Sequence, residues 1–133
     1  MRVIILGCGR VGAKLATILD GEGHDVTIID LNSDQFRRLG PDFKGTAMVG
    51  TGIDEDVLRR AGIEQADAFV AVTNGDNTNI MCSQMARVIF NVQKVITRIY
   101  DPVREETYRG MGLDTFSPTV TGANLIRAAL AAG

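Results

Sequence analysis

The sequence predicts an α/β protein: a three-layer Rossmann fold with a doubly wound parallel six-stranded sheet in the order 3-2-1-4-5-6 and a C-terminal crossover helix. Three observations predict it. Short apolar runs alternate regularly with helix-forming stretches along the chain. Arg2–Leu6 is followed by Gly7-Cys8-Gly9-Arg10-Val11-Gly12, a helical run, and then Val26–Asp30. That order of strand, glycine turn, helix, strand and terminal acid is what a dinucleotide-binding βαβ unit requires. Ala68–Thr73 is a near-continuous apolar run, as in parallel strands covered on both faces.

Each element follows in order. Arg2–Leu6 is the first strand, and the first helix spans about Val11–Asp20 with Leu15, Ile18 and Leu19 on its buried side. The glycines of Gly21-Glu22-Gly23-His24 end it. The second strand is Asp25–Ile29. Ser33-Asp34-Gln35 starts a second helix that carries Phe36 and Leu39, and Pro41 closes it. Thr46–Val49 is the third strand, Asp54–Ala61 a short helix ended by Gly62, and Ala68–Thr73 the fourth strand. After the polar loop Asn74–Asn79, a helix spans about Thr78–Phe90 and Lys94–Ile99 forms the fifth strand. Pro102 opens a helix to about Met111, Thr115-Phe116 is a short sixth strand, and Pro118 introduces a last helix over about Val120–Ala131.

Composition narrows the function. The 133 residues suffice for one domain spanning 1–133, with 45% hydrophobic and 23% charged residues. A net charge of -2 offers no basic excess for a phosphate backbone, so nucleic acid is not an expected partner. Cys8 and Cys82 suit a reduced, cytoplasmic protein. No apolar run approaches the roughly 20 residues of a membrane helix. Met1-Arg2 leads straight into a strand, so no signal peptide is expected. The fold consumes the whole chain and leaves nothing to build a separate substrate region.

The motifs together resemble the TrkA N-terminal domain family, also called the RCK or KTN domain. Gly7–Gly12 is similar to its GxGRxG loop, and Val49-Gly50-Thr51-Gly52-Ile53-Asp54 to the segment after its third strand, where Thr51 departs from the usual acid or amide. Ala71–Asn79 resembles its fourth-strand signature of Thr, Asp and Asn. Ile96-Thr97-Arg98-Ile99 and Asp114-Thr115-Phe116-Ser117-Pro118 match its later segments. The resemblance runs the length of the chain. The smaller C-terminal subdomain of many members is absent: either this is a single-domain member or the sequence stops short of it.

The candidate ligand residues lie at the carboxyl ends of the strands. In the loop of Gly7, Cys8, Gly9, Arg10, Val11 and Gly12, Gly7 allows the turn, Gly9 lets a phosphate approach, and Gly12 allows close helix packing. Arg10 can offer a guanidinium to phosphates, a role the resemblance also implies. Cys8 lies in the phosphate loop but has no histidine partner, so it reads as small-residue packing rather than as a nucleophile. Asp30 can accept from both ribose hydroxyls and would repel a 2′-phosphate. Because Leu31 and Asn32 follow rather than an arginine, NADP is disfavoured. Asn32 either helps there or turns the chain. Gly50, Thr51 and Gly52 either approach an adenine or form a turn into a helix capped by Asp54, while Val49 and Ile53 either line the adenine slot or belong to the core. Thr73 and Asn74 sit across the topological switch point from Gly7. Asn79, like Asp76 and Asn77, reads either as a ligand contact or as a capping residue. Arg98, a cation in an apolar strand, needs Asp76, a ligand phosphate or a neighbouring subunit as partner. His24 lies at the opposite edge. Neither a metal-ligand spacing nor a catalytic set is present in the sequence.

A full binding inventory beside an empty catalytic one predicts a regulatory, non-enzymatic nucleotide-binding domain. The resemblance implies potassium transport. The ligand would be NAD(H), ATP, ADP or AMP, and the partner a membrane-embedded transporter or channel subunit at the inner face of the membrane. The alanine-rich apolar last helix implies a homo-oligomer, a dimer through that helix and, by resemblance, a ring. The alternative is a small NAD-dependent oxidoreductase with a site completed by a second subunit.

Overall fold

A computed structural model describes residues 1–132. Six parallel strands form one sheet in the order β3-β2-β1-β4-β5-β6: β1 Arg2–Leu6, β2 Asp25–Asp30, β3 Thr46–Val49, β4 Ala68–Ala71, β5 Lys94–Arg98 and β6 Asp114–Phe116. The helices are α1 Arg10–Gly21, α2 Glu55–Arg60, α3 Asp76–Val88, α4 Pro102–Gly110 and α5 Pro118–Ala132. The expected fold class and strand order are therefore observed.

The strands alternate their side chains between two cores. On one face Ile4, Leu6, Ile29 and Phe69 pack with Val57 and Leu58 of α2 and Cys82 and Ala86 of α3. On the other, Val3, Ile5, Val26, Ile28 and Val70 pack with Ala13 and Ala16 of α1 and with Leu39. Leu6 pairs with both Ile29 and Ala71 in register, which brings the ends of β1, β2 and β4 to one edge.

Several expectations are corrected. Ile18 is exposed rather than buried. A Cβ on Gly12 would lie 1.8 Å from the Gly7 carbonyl oxygen, so α1 approaches the sheet closely. Its small face of Gly12, Ala13 and Ala16 turns inward, and Leu15 and Leu19 pack only at the margin of the core. The second helix is a 3₁₀ segment, Ser33–Leu39. Phe36 and Leu39 are three apart, the period of that helix, and both reach the core. A further short 3₁₀ turn, Ile63–Gln65, links α2 to β4. The fourth strand stops at Ala71 rather than Thr73, because the Thr73 N–H leaves the ladder for the Asn79 side chain. The loop expected over Asn74–Asn79 is shorter, since α3 begins at Asp76. Among the described residues of α5 none is buried.

Candidate functional site

A cavity of about 710 Å³ opens at the carboxyl edge of the sheet, where β1 and β4 part to opposite directions of winding. Its size suits a small-molecule site. Gly7 forms the bend after β1, with φ +108 and its N–H donating to the Ile29 carbonyl at 2.7 Å. A Cβ there would lie 2.9 Å from the backbone of Val72 and Thr73, so this glycine is required twice over. Gly12 is fixed by its closeness to Gly7. Gly9 is different. Its φ of −78 is open to any residue, and a Cβ would meet nothing within 4 Å. Gly9 lines the cavity, so adding a Cβ would fill only the space that a ligand would use.

The helix ends repeat this division. The 3₁₀ segment, α2 and α4 are capped by the side chains of Asn32, Asp54 and Asp101. The helices α1 and α3 start after Gly9 and Gly75 with no side-chain cap, and both glycines line the cavity. Uncapped helix N-termini present N–H groups and positive dipole ends. Arg10, exposed at the start of α1, adds a full charge beside the first of them.

Asp30 ends β2 at the cavity. One carboxylate oxygen accepts the Cys8 N–H at 2.7 Å and the other the Asn32 N–H at 2.9 Å. The same group thus holds the glycine loop, and each oxygen retains a further lone pair.

The far side of the cavity is built around Arg98, whose Nη2 donates to the carbonyls of Val72 at 2.6 Å and Thr73 at 2.7 Å. The Tyr100 ring centroid lies 4.6 Å from the guanidinium carbon. Asp76, one of the partners expected for Arg98, instead accepts the N–H groups of Tyr100 and Asp101. Burial lowers the pKa of Arg98 below its ordinary value, against the opposing pull of Tyr100 and Asp76.

Of the sequence-predicted residues, Gly7, Gly9, Arg10, Val11, Asp30 and Leu31 line the cavity, as do Gly50, Thr51, Gly52, Thr73, Asn74 and Arg98. Four are not brought to it. Cys8 is fully buried with its thiol on the Gln35 carbonyl, and burial, then the Asp30 charge, push its pKa up to about 11. Gly12 is packed beneath the loop, and Asn32 accepts the Asp34 N–H as a cap. Asn79 is fully buried: its Oδ1 accepts from Thr73 N and Oγ1, and its Nδ2 donates to the carbonyls of Thr73 and Arg98. It ties β4, α3 and β5 together beneath the site. Val49 and Ile53 are exposed and belong to neither cavity nor core. Gly52 has a packing duty as well, since a Cβ would lie 2.4 Å from Leu6 Cδ2.

Sequence reasoning missed Gln35, Arg38, Thr78, Tyr100 and Pro118 in the lining. The 3₁₀ turn carries the first two there, and Arg38 donates from Nε to Gln35 Oε1 at 3.0 Å. No local signal marks them. Among the described residues no group of three or more His, Cys, Asp or Glu side chains is placed to hold a metal ion.

The family model for the TrkA-N domain matches residues 3–117. The chain is 50% identical over 115 residues to a Trk system potassium uptake protein TrkA of Streptomyces coelicolor, covering 86% of this chain and 52% of that protein. It is 37% identical over 108 residues to a TrkA homolog of Pyrococcus abyssi, covering 81% and 48%. The chain thus spans about half the length of these relatives. Among solved structures, the AMP-bound Kef CTD of Shewanella denitrificans shares the fold at a TM-score of 0.82 and 24% identity, covering 100% of this chain and 82% of that one. GsuK bound to ADP aligns at a TM-score of 0.77 and 25% identity, covering 94% and 32%. The GsuK channel bound to NAD aligns at 0.71 and 20%, covering 88% and 21%.

Proposed function

The chain belongs to the TrkA-N domain family, and from that premise we propose that it is a nucleotide-binding regulatory domain of a potassium uptake system or channel. Residues 1–133 act as one domain of that assembly. The ligand is NAD(H) or an adenine nucleotide, with its adenosine between Asp30 and Gly50–Gly52 and its phosphates over Gly9 and Arg10. It works without being transformed, by favouring one conformation of an oligomer over another. The output reaches a membrane-embedded transporter or channel subunit, which places the domain at the cytoplasmic face through that partner. No described helix is long and apolar enough to cross a membrane itself.

One observation carries the reading: the uncapped start of α1, with open space over Gly9, opens on the same cavity as Arg10 and Asp30. Support for the ligand class comes from the solved relatives, which are described as bound to AMP, ADP and NAD. Support for the setting comes from the relatives named as potassium uptake proteins.

Thermal-shift titration with AMP, ADP, ATP, NAD and NADH tests it. A ligand held only by the folded state at about 100 times its Kd adds about 2.7 kcal/mol, a shift of several degrees in Tm. At least one of these ligands is expected to give it. A flat response to all of them at millimolar concentration would overturn the proposal. Hydride transfer, with NAD⁺ reduced by alcohols or NADH oxidised by aldehydes, would replace it with the oxidoreductase alternative.

A further inference from the structure

A second groove, of about 340 Å³, lies between α1 and the 3₁₀ segment and is lined by Arg10, Ala13, Lys14, Thr17, Arg38 and Leu39. The buried Ala13 and Leu39 form its floor. The Thr17 hydroxyl is turned back on its own helix, donating to the Ala13 carbonyl at 2.8 Å. The rim is the exposed trio Arg10, Lys14 and Arg38. Among the described residues no acid lines the groove, and none of the three cations forms an ion pair. Of the acids on the two elements, Asp20 accepts the Lys44 N–H and Asp34 stands at the start of the 3₁₀ segment. Three unpaired cations side by side run against the net charge of -2 of the whole chain. Val11 and Ile18, three before and four after Lys14 on α1, are exposed beside them. The surface is therefore cationic and apolar together. Arg10 and Arg38 line the nucleotide cavity as well, so the two sites share two of their cations.

We propose that this groove docks an acidic, partly apolar peptide segment of a partner protein, and that nucleotide phosphates compete with the segment for Arg10 and Arg38. The competition, though not the docking, rests on the nucleotide-binding reading above. Carboxylates suit the rim because guanidinium groups accept them in bidentate pairs. Apolar side chains of the same segment would cover Val11 and Ile18. A peptide fits better than an anionic bilayer. A flat, broad surface would meet the acids of a chain whose net charge is negative, whereas a narrow segment meets only the three cations. A phosphate drawn to Arg10 removes part of the charge that holds the segment. The coupling is reciprocal, so the segment must weaken the nucleotide by the same factor. With the membrane subunit as the partner, nucleotide binding would release or loosen that contact directly.

The test is fluorescence anisotropy with a short labelled peptide of glutamate interspersed with leucine, against the same peptide with glutamine for glutamate. The acidic peptide is expected to bind without nucleotide, to weaken about tenfold or more as salt is raised to several hundred millimolar, and to exceed the glutamine peptide by a similar factor. Lys14 lies in the groove and not in the nucleotide cavity. Lys14→Glu should therefore weaken the acidic peptide about tenfold while AMP affinity stays within about twofold. Saturating ADP should weaken the peptide severalfold, and more than AMP does, because ADP carries more charge. No binding of the acidic peptide at millimolar concentration would overturn the docking and leave nucleotide binding standing, as would equal affinity for the glutamine peptide or for a folded Lys14→Glu. Binding to phosphatidylglycerol vesicles in place of the peptide would replace the segment with a lipid surface. Peptide affinity undiminished by ADP, in a chain that ADP stabilises, would overturn the competition.

Discussion

At the residue scale, the glycine turn separates into positions that the fold needs and a position that it does not. The motif spacing already assigns the three glycines different roles, Gly7 the turn, Gly9 phosphate approach and Gly12 close helix packing. The packed chain adds the distances, with Gly12 against Gly7 and Gly9 facing open space. The two substitutions to alanine should therefore part. Gly12→Ala forces a Cβ to 1.8 Å from a backbone oxygen, so the helix must move, and a stability loss above about 3 kcal/mol is expected in urea unfolding. Gly9→Ala should change stability by less than about 1 kcal/mol and weaken AMP and NADH about tenfold or more, because its Cβ stands where the phosphate would lie. A Gly9→Ala variant with unchanged nucleotide affinity would remove the loop from the binding site. The carboxylate of Asp30 was equally legible as a group at the end of β2. Its hold on the Cys8 and Asn32 N–H groups was not, since that depends on how the loop folds back.

At the element scale, strand order and strand positions were legible because parallel strands write themselves as apolar runs, but the end of β4 was not, since the Thr73 N–H leaves the ladder for Asn79. Helix starts were less legible. The start of α3 two residues before the expected Thr78 depends on Asp76, whose carboxylate is taken up by Tyr100 and Asp101 from 24 and 25 positions away. The same is true of Asn79, whose polar type suits a cap, a turn or a ligand contact. Its full burial identifies it as the clamp of β4, α3 and β5. Asn79→Leu keeps the volume but leaves the Thr73 N–H and the carbonyls of Thr73 and Arg98 without that partner. Each unsatisfied buried group costs about 1–3 kcal/mol, so chemical denaturation should report a loss of at least about 2 kcal/mol. Asn79→Asp should recover only the Oδ1 contacts, because a carboxylate cannot donate to the two carbonyls. A loss below about 0.5 kcal/mol for Asn79→Leu would mean that the clamp does not hold the site together.

At the scale of the whole molecule, the fold leaves apolar surface that one chain does not cover. Leu125, Ile126 and Leu130 of α5 are exposed, with Leu130 at 78%. Ile96 of β5 is exposed as well, although its neighbours Val95 and Thr97 on the opposite face are buried against α3. A helix of this length draws most of its stability from packing rather than propensity, and α5 has no buried residue. A second copy of the chain is the occupant that the proposed oligomer supplies. Ile126 and Leu130 are four apart and share a face, so Ile126→Glu with Leu130→Glu puts carboxylates where the contact would be desolvated. Light scattering at micromolar concentration is expected to show a dimer for the unaltered chain and a monomer for the double variant. Nucleotide-induced stabilisation should persist in the variant, because Gly9, Arg10 and Asp30 belong to other elements. An unaltered chain that is already monomeric would remove α5 as the dimer contact, and the regulatory output would then have to pass through direct docking on the membrane partner.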